Sequence, residues 1–365
     1  MKSDRLLERF LKYIACDSES RYEKEFCEMV EADLKLIGFT IYRDEVGPAC
    51  GSNGWNIFAT LPGVGEPILF SAHMDTVSPG NGIKPVIKDG VIYSSGDTIL
   101  GADDKSGIAA ILEAVQSTLE EGVEHRPVEV LFSVCEELGL LGAKNADYSR
   151  IKSKEAVVLD SGKNGSIVNQ APANTHLYIT INGKSAHAGV APHEGIHALK
   201  AAAKAISQID CGFVDDFTVM NVANLLSPGK TNVVPDSATF DMEIRSFKKE
   251  LLEEHIASVE KRVKAACEEF GATYKIVRED VFDALHVPED RPILKRLLDV
   301  YEKLGVNVTV EKTYGGCDAT CLFNNGIDAL NVGTGMADAH SLNEHITIKD
   351  LENTTLAMKL IIRAD

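Results

Sequence analysis

Apolar positions along this chain recur with two different periods, and the places where the period changes predict its elements. Residues 4–38 carry apolar side chains at helical spacing, broken by a turn at Asp17-Ser-Glu-Ser20 and closed by Gly38, which predicts an amphipathic helical stretch. Short apolar runs follow at 68–72, 128–134 and 156–159. They read as strands, two of them continuous enough to be buried on both faces. Between the first two, Ile108, Ile111, Leu112 and Val115 mark one face of a helix over 106–116. Strands alternating with helices predict an α/β fold, with a mixed, mostly parallel sheet flanked by helices.

From about residue 174 the pattern becomes half-exposed. Residues 176–182 alternate apolar and polar, a helix follows over 196–209, and strands come near 217–226 and 237–247. A charged helix over 248–270 ends at Gly271, and residues 273–278 supply a last strand. This βαββαβ order predicts a ferredoxin-like domain over 173–281. A helix from Pro292 to Gly305 and a strand at 307–310 then rejoin the earlier part, so 1–172 with 282–365 form one discontinuous domain and the middle is an insertion.

Composition narrows the class. With 44% hydrophobic residues over 365 the chain can bury real cores, which excludes disorder and small disulfide-stapled scaffolds. An excess of 55 acidic over 37 basic residues gives a net charge of −18, which repels phosphate backbones and acidic membranes. The first residues mix charges into their apolar pattern, unlike a signal peptide, and no run reaches the ~20 apolar residues of a membrane span. Eight scattered cysteines without a CxxC pair suit reduced thiols. The expectation is a cytoplasmic protein with neither nucleic acid nor membrane as partner.

Candidate chemistry gathers at the ends of the predicted strands. His73-Met-Asp75 follows the 68–72 strand, Asp103-Asp104 precedes the helix at 106, Glu136-Glu137 follows 128–134, and Asp160 follows 156–159. Carboxyl ends of strands line the ligand crevice of open α/β sheets, so these groups can converge. His340, in Gly333-Thr-Gly-Met-Ala-Asp-Ala-His340, adds a second imidazole. Each has a bland reading alone: a helix cap for the Asp pair, a solvated loop for the Glu pair, a surface position for His340. Their recurrence at consecutive strand ends favours a divalent-metal site, and a mixed N/O donor set suits zinc, with manganese or cobalt as alternatives.

Six ordered blocks carry a resemblance: Ser71-Ala-His-Met-Asp-Thr76, Gly101-Ala-Asp-Asp-Lys-Ser-Gly107, Cys135-Glu-Glu-Leu-Gly139, Leu159-Asp-Ser-Gly162, Gly183-Lys-Ser-Ala-His-Ala-Gly189 and Asp338-Ala-His340. Together they resemble the co-catalytic zinc metallopeptidase family that includes peptidase T, glutamate carboxypeptidase, aminoacylase and succinyl-diaminopimelate desuccinylase, most closely its peptidase T-like members. The resemblance implies two metal ions sharing Asp103, with His73 and Asp160 completing one site and Glu137 and His340 the other. It implies Glu136 as general base, and a cis peptide between Asp103 and Asp104. Asp75, two residues after His73, is placed to accept that histidine's free ring N–H.

In the inserted domain, the resemblance makes His187 a lid histidine that stabilises the oxyanion, often across a dimer. Asn232, Arg245 and Gly335 match positions that hold substrate in relatives. For Arg245 the plain alternative is a polar strand face shared with Thr239, Asp241 and Glu243, and for Gly335 a simple turn. Cys317 and Cys321 read as packing residues, His193 and His197 as polar residues at a helix start. The implied activity is hydrolysis of short peptides, with aminotripeptidase first and N-acyl-amino-acid deacylase or carboxypeptidase as the alternative, in a homodimer formed through the inserted domain. A non-catalytic peptide- or metal-binding protein would have no need of Glu136.

Overall fold

The computed structural model describes residues 1–364 and divides the chain into two compact units, Met1–Gln170 with His286–Asp365, and Ala171–Leu285. The first unit is built on a nine-stranded sheet. Four parallel strands form its centre in the order Val128–Ser133, Ile68–His73, Glu155–Ser161, Asp328–Gly333. Every residue of the first two is buried, as their unbroken apolar runs require. Asn56–Leu61 and Thr40–Asp44 extend one side antiparallel, and Ser166–Ala171 pairs antiparallel with Asp328–Gly333 on the other. The sheet is therefore mixed, with a parallel centre.

Ala102–Glu121 is the central helix, buried through Ile108, Ile111, Leu112 and Val115, and it packs on Ser3–Ile14 and Ile348–Ile361. It starts earlier than the spacing predicts, but Asp103 and Asp104 depart from helical dihedrals, so the regular helix begins beyond them. Glu113, fully buried in this helix, is gripped by Arg5 at 2.7 and 2.9 Å. The first helical stretch is two helices, Ser3–Ile14 and Lys24–Ile37, the second ending at Gly38. Among the described residues no helix is long and apolar enough to cross a membrane.

The second unit is a five-stranded antiparallel sheet ordered Gly212–Phe213, Thr218–Leu226, Ser237–Ser246, Ala173–Asn182, Thr273–Phe282. Helices Ala198–Ile206 and Lys249–Phe270 pack together over one face. The two-residue edge strand and the extension of the last strand to Phe282 go beyond the sequence pattern. In Ser237–Ser246, Ala238, Phe240, Met242 and Ile244 point into the core, while Thr239, Asp241, Glu243 and Arg245 alternate onto the other face. Phe240 is fully buried in a cluster with Ile179, Ile181 and Val259. Replacing Phe240 by Ala should destabilise this unit by about 3–5 kcal/mol, read as a lower denaturation midpoint; a wild-type midpoint would contradict this packing.

Candidate metal centre

The C-terminal ends of adjacent parallel strands bring the first ligating groups together. His73 is the last residue of Ile68–His73, and Asp160 is the penultimate residue of Glu155–Ser161, inside the strand rather than beyond it. Asn331 on the neighbouring strand clamps Asp160 through both main-chain groups, accepting from its N–H at 3.0 Å and donating to its carbonyl at 2.6 Å. After Ser133 the chain turns through Cys135, at φ 52°, into a single turn of 3-10 helix that carries Glu136 and Glu137. Asp103 and His340 reach the same place from loops.

Asp103 is the centre of the arrangement. Its Oδ1 lies 2.9 Å from Nε2 of His73, and its Oδ2 lies 3.2 Å from Nε2 of His340. His340 also meets Oε1 of Glu137 at 2.8 Å, and His73 is 3.9 Å from Asp160. Donor atoms of His73, Asp103 and Asp160 lie within 4.8 Å of one another, as do those of Asp103, Glu137 and His340, and those of His73, Glu136 and Glu137. The peptide between Asp103 and Asp104 is cis. Asp104 faces away, accepting from the N–H groups of His73 and Gly107 at 3.3 Å.

Four carboxylates facing two imidazoles leave a surplus of negative charge, and the proton affinities show the strain. Burial, then the charge of Asp160, pushes Glu136 well above the ordinary carboxylate range; burial and Asp103 do the same to Asp160. Asp103 moves the other way, because hydrogen bonds from His340 and His73 overcome its burial. Bonds to Asp103 and Glu137 lift His340 to about 10. A hard-to-borderline divalent ion fits this N/O donor set.

Asp75 does something the sequence did not suggest. Ring Nδ1 of His73 bonds to the main-chain carbonyl of Asp75 at 2.9 Å, while the carboxylate that was expected there stays 3.5 Å away. That carboxylate accepts instead from the N–H groups of Glu136 at 2.9 Å and Glu137 at 3.2 Å. Ser20 donates to it at 2.7 Å, and Glu23 takes the N–H of Cys135 at 3.1 Å. Three consecutive amides of the turn are therefore held by two buried acids. Ser20 and Glu23 escaped sequence reading because their partners are main-chain amides or another side chain's oxygen, which leave no spacing signature.

The remaining candidates divide. Gly335 sits at φ 95° where a Cβ would meet Asp350 at 2.2 Å, and its N–H is already donated to Gly162 at 2.7 Å. Its N–H is thus committed to the fold. In the second unit, His187 and Asn232 share one corner: Ala188 donates to the Asn232 carbonyl at 2.9 Å, and both side chains are exposed. Arg245 lies on the polar sheet face with its Nε 2.7 Å from Glu243. His197 caps Ala198–Ile206, and Cys317 and Cys321 are buried.

A cavity of about 160 Å³ opens over the cluster, continuing past Ser161, Val168, Thr313, Gly315 and Cys317. A larger one, about 450 Å³, lies by Tyr42, Phe58, Leu69 and Arg150. It lacks a converging donor set, since its acid, Glu129, is committed to the amides of Lys152 and Ser153.

A model of peptidase family M20/M25/M40 matches residues 69–364. The crystal structure of aminopeptidase PepT from Bacillus cereus superposes with a TM-score of 0.94 at 34% identity, covering 99% of this chain and 98% of that one. A tripeptidase from Staphylococcus aureus gives 0.95 at 30%, covering 100% and 98%. Peptidase T of Enterococcus faecalis is 25% identical over 409 aligned positions, 96% of this chain and 97% of its own.

Asp75→Asn puts an amide nitrogen against one of the two N–H groups it now accepts. Affinity of the cluster for zinc should fall about 10–100-fold in a chelator-competition titration; unchanged affinity would show that the turn needs no such anchor.

Proposed function

The chain belongs to peptidase family M20/M25/M40, and from that premise we propose that it is a metal-dependent exopeptidase acting on short peptides as an aminotripeptidase. The observation that carries this reading is Asp103 with one oxygen toward His73 and the other toward His340, beside a buried glutamate. His73, Asp103 and Asp160 would hold one divalent ion, Asp103, Glu137 and His340 a second, with zinc the first choice and cobalt or manganese the alternatives. When bound, the ions supply Lewis acidity and lower the pKa of water.

The proton work falls to Glu136. It takes a proton from the water that attacks the peptide carbonyl carbon and returns it to the amine nitrogen as the C–N bond breaks. Burial favours this role by raising its proton affinity, and Asp75 fixes its main chain. Glu137, one residue on, contacts His340 and belongs to the donor set. His187 accepts the Gly189 N–H at Nδ1, 3.2 Å away, which assigns the proton of the neutral ring to Nε2 and leaves that N–H for a substrate oxyanion. Asn232 and Arg245 complete the substrate-holding set, the guanidinium suiting a peptide carboxylate.

This reading includes a homodimer through the second unit, supported by the apolar surface that Phe213, Leu225 and Leu226 expose along one sheet edge. It also places the protein in the cytoplasm, where eight free cysteines stay reduced. Light scattering at micromolar concentration should give twice the chain mass, and a monomer mass removes the dimer.

The deciding experiment loads the protein with zinc, cobalt or manganese and offers dipeptides, tripeptides, N-terminally blocked peptides and N-acetyl or N-succinyl amino acids. Release of the amino-terminal residue from free tripeptides is expected; cleavage confined to acylated amino acids moves the protein to the deacylase branch. Glu136→Ala should abolish turnover with metal content unchanged, and surviving turnover would sink the base assignment. His187→Ala should lower kcat about 10²–10³-fold, whereas a wild-type kcat would remove His187 from the chemistry.

A further inference from the structure

One buried acid near the cluster contacts no cation and plays no part in the proton transfers above. Glu344 is 1% exposed and lies four residues beyond His340. Its Oε2 accepts the main-chain N–H groups of Leu100 and Gly101 at 2.8 and 2.9 Å, and its Oε1 accepts that of Asp103 at 3.0 Å. Burying a carboxylate is expensive unless it is hydrogen-bonded, and three amides meet that need. They also define what the side chain grips.

The gripped turn departs from regular helix. Gly101 is left-handed at φ 73°, and Asp103 sits at φ −81°, ψ 103°, outside the helical region. The Asp103 carboxylate is therefore presented from a kinked start and not from the regular helix that follows. On the other side, His340 is itself at φ 62°, in a loop. Glu344 joins the two: the segment that presents His340 extends one side chain into the turn that presents Asp103. By contrast, His73 and Asp160 sit on paired strands with their own hydrogen-bond ladders.

We propose that Glu344 is a positioning residue that sets Asp103 against His340 and thereby governs the affinity of the Asp103, Glu137, His340 site, more than that of the His73, Asp103, Asp160 site. This rests on the two-ion reading. A residue that merely stabilised the fold would weaken both sites together and lower the stability of the metal-free protein.

The test is Glu344→Gln, which keeps the volume and one acceptor oxygen but sets an NH₂ group against at least one of the three amides. Zinc affinities of wild type and variant are measured by chelator competition, with the absorption spectrum of the cobalt-loaded protein as a second readout and the denaturation midpoint of the metal-free protein alongside. Wild type should bind two ions per chain. In the variant one affinity should stay within about threefold while the other falls about 10–100-fold, with a changed cobalt spectrum. Glu344→Asp, which keeps the charge but is one methylene too short to span Leu100 and Asp103, should show the same selective loss should the Gln variant fail to fold. Two wild-type affinities would overturn the proposal, and so would equal loss at both sites with a lowered metal-free midpoint. A wild-type protein that binds no second ion would overturn the two-ion reading itself, a result separable from any effect of the variant.

Discussion

Asp103 lies between two imidazoles that come from distant parts of the chain, His73 on a central strand and His340 in a loop near the C-terminus. Holding it there means crowding Glu136, Glu137 and Asp160 into the same small volume, and like charges brought together in a poorly solvated space repel strongly. The structure tolerates this by dividing its acids into two sets. Asp75, Asp104, Glu23 and Glu344 turn their oxygens to main-chain amides and fix the turns. Asp103, Glu137 and Asp160 keep oxygens for the imidazoles and for a cation.

The sheet explains why the inner set meets at all. Val128–Ser133, Ile68–His73 and Glu155–Ser161 are parallel neighbours, and neighbouring strands lie about 4.8 Å apart. Side chains leaving consecutive parallel strands at the same end start within a few ångströms of each other, whatever their separation in sequence. Buried apolar runs thus do two tasks: they build the core and they aim the residue that follows them.

That is also why the inner set was legible in the sequence. A strand ending in His73, another followed by Glu136-Glu137 and a third ending near Asp160 is a pattern of residue type against period, and the resemblance assigned the order of roles. The outer set was not legible, because an acid that grips an amide can be any acid near any turn: nothing in the spacing of Ser20, Glu23 or Glu344 names its partner. Asp75 shows the limit most clearly. Its proximity to His73 was legible, with ring Nδ1 2.9 Å from its carbonyl and 3.5 Å from its carboxylate, but nothing in the spacing named the amides of Glu136 and Glu137 that the carboxylate also holds. For Gly335, likewise, only the fold shows that its N–H is donated to Gly162. Among the elements, alternation in Ser237–Ser246 gave both faces correctly, whereas Asp328–Gly333 passed unnoticed although it clamps Asp160 through Asn331.

The two units divide the candidate residues between them. Every residue in the donor set belongs to the first unit, while His187, Asn232 and Arg245 belong to the second, which has a hydrophobic core of its own around Phe240. The proposed ion binding and proton transfer therefore draw on turns and strand ends that the second unit does not supply. The contacts proposed for His187, Asn232 and Arg245 can therefore vary without altering a single residue of the donor set. Under the proposed function, the choice between tripeptides and acylated amino acids would fall to residues such as Asn232 and Arg245, outside the donor set.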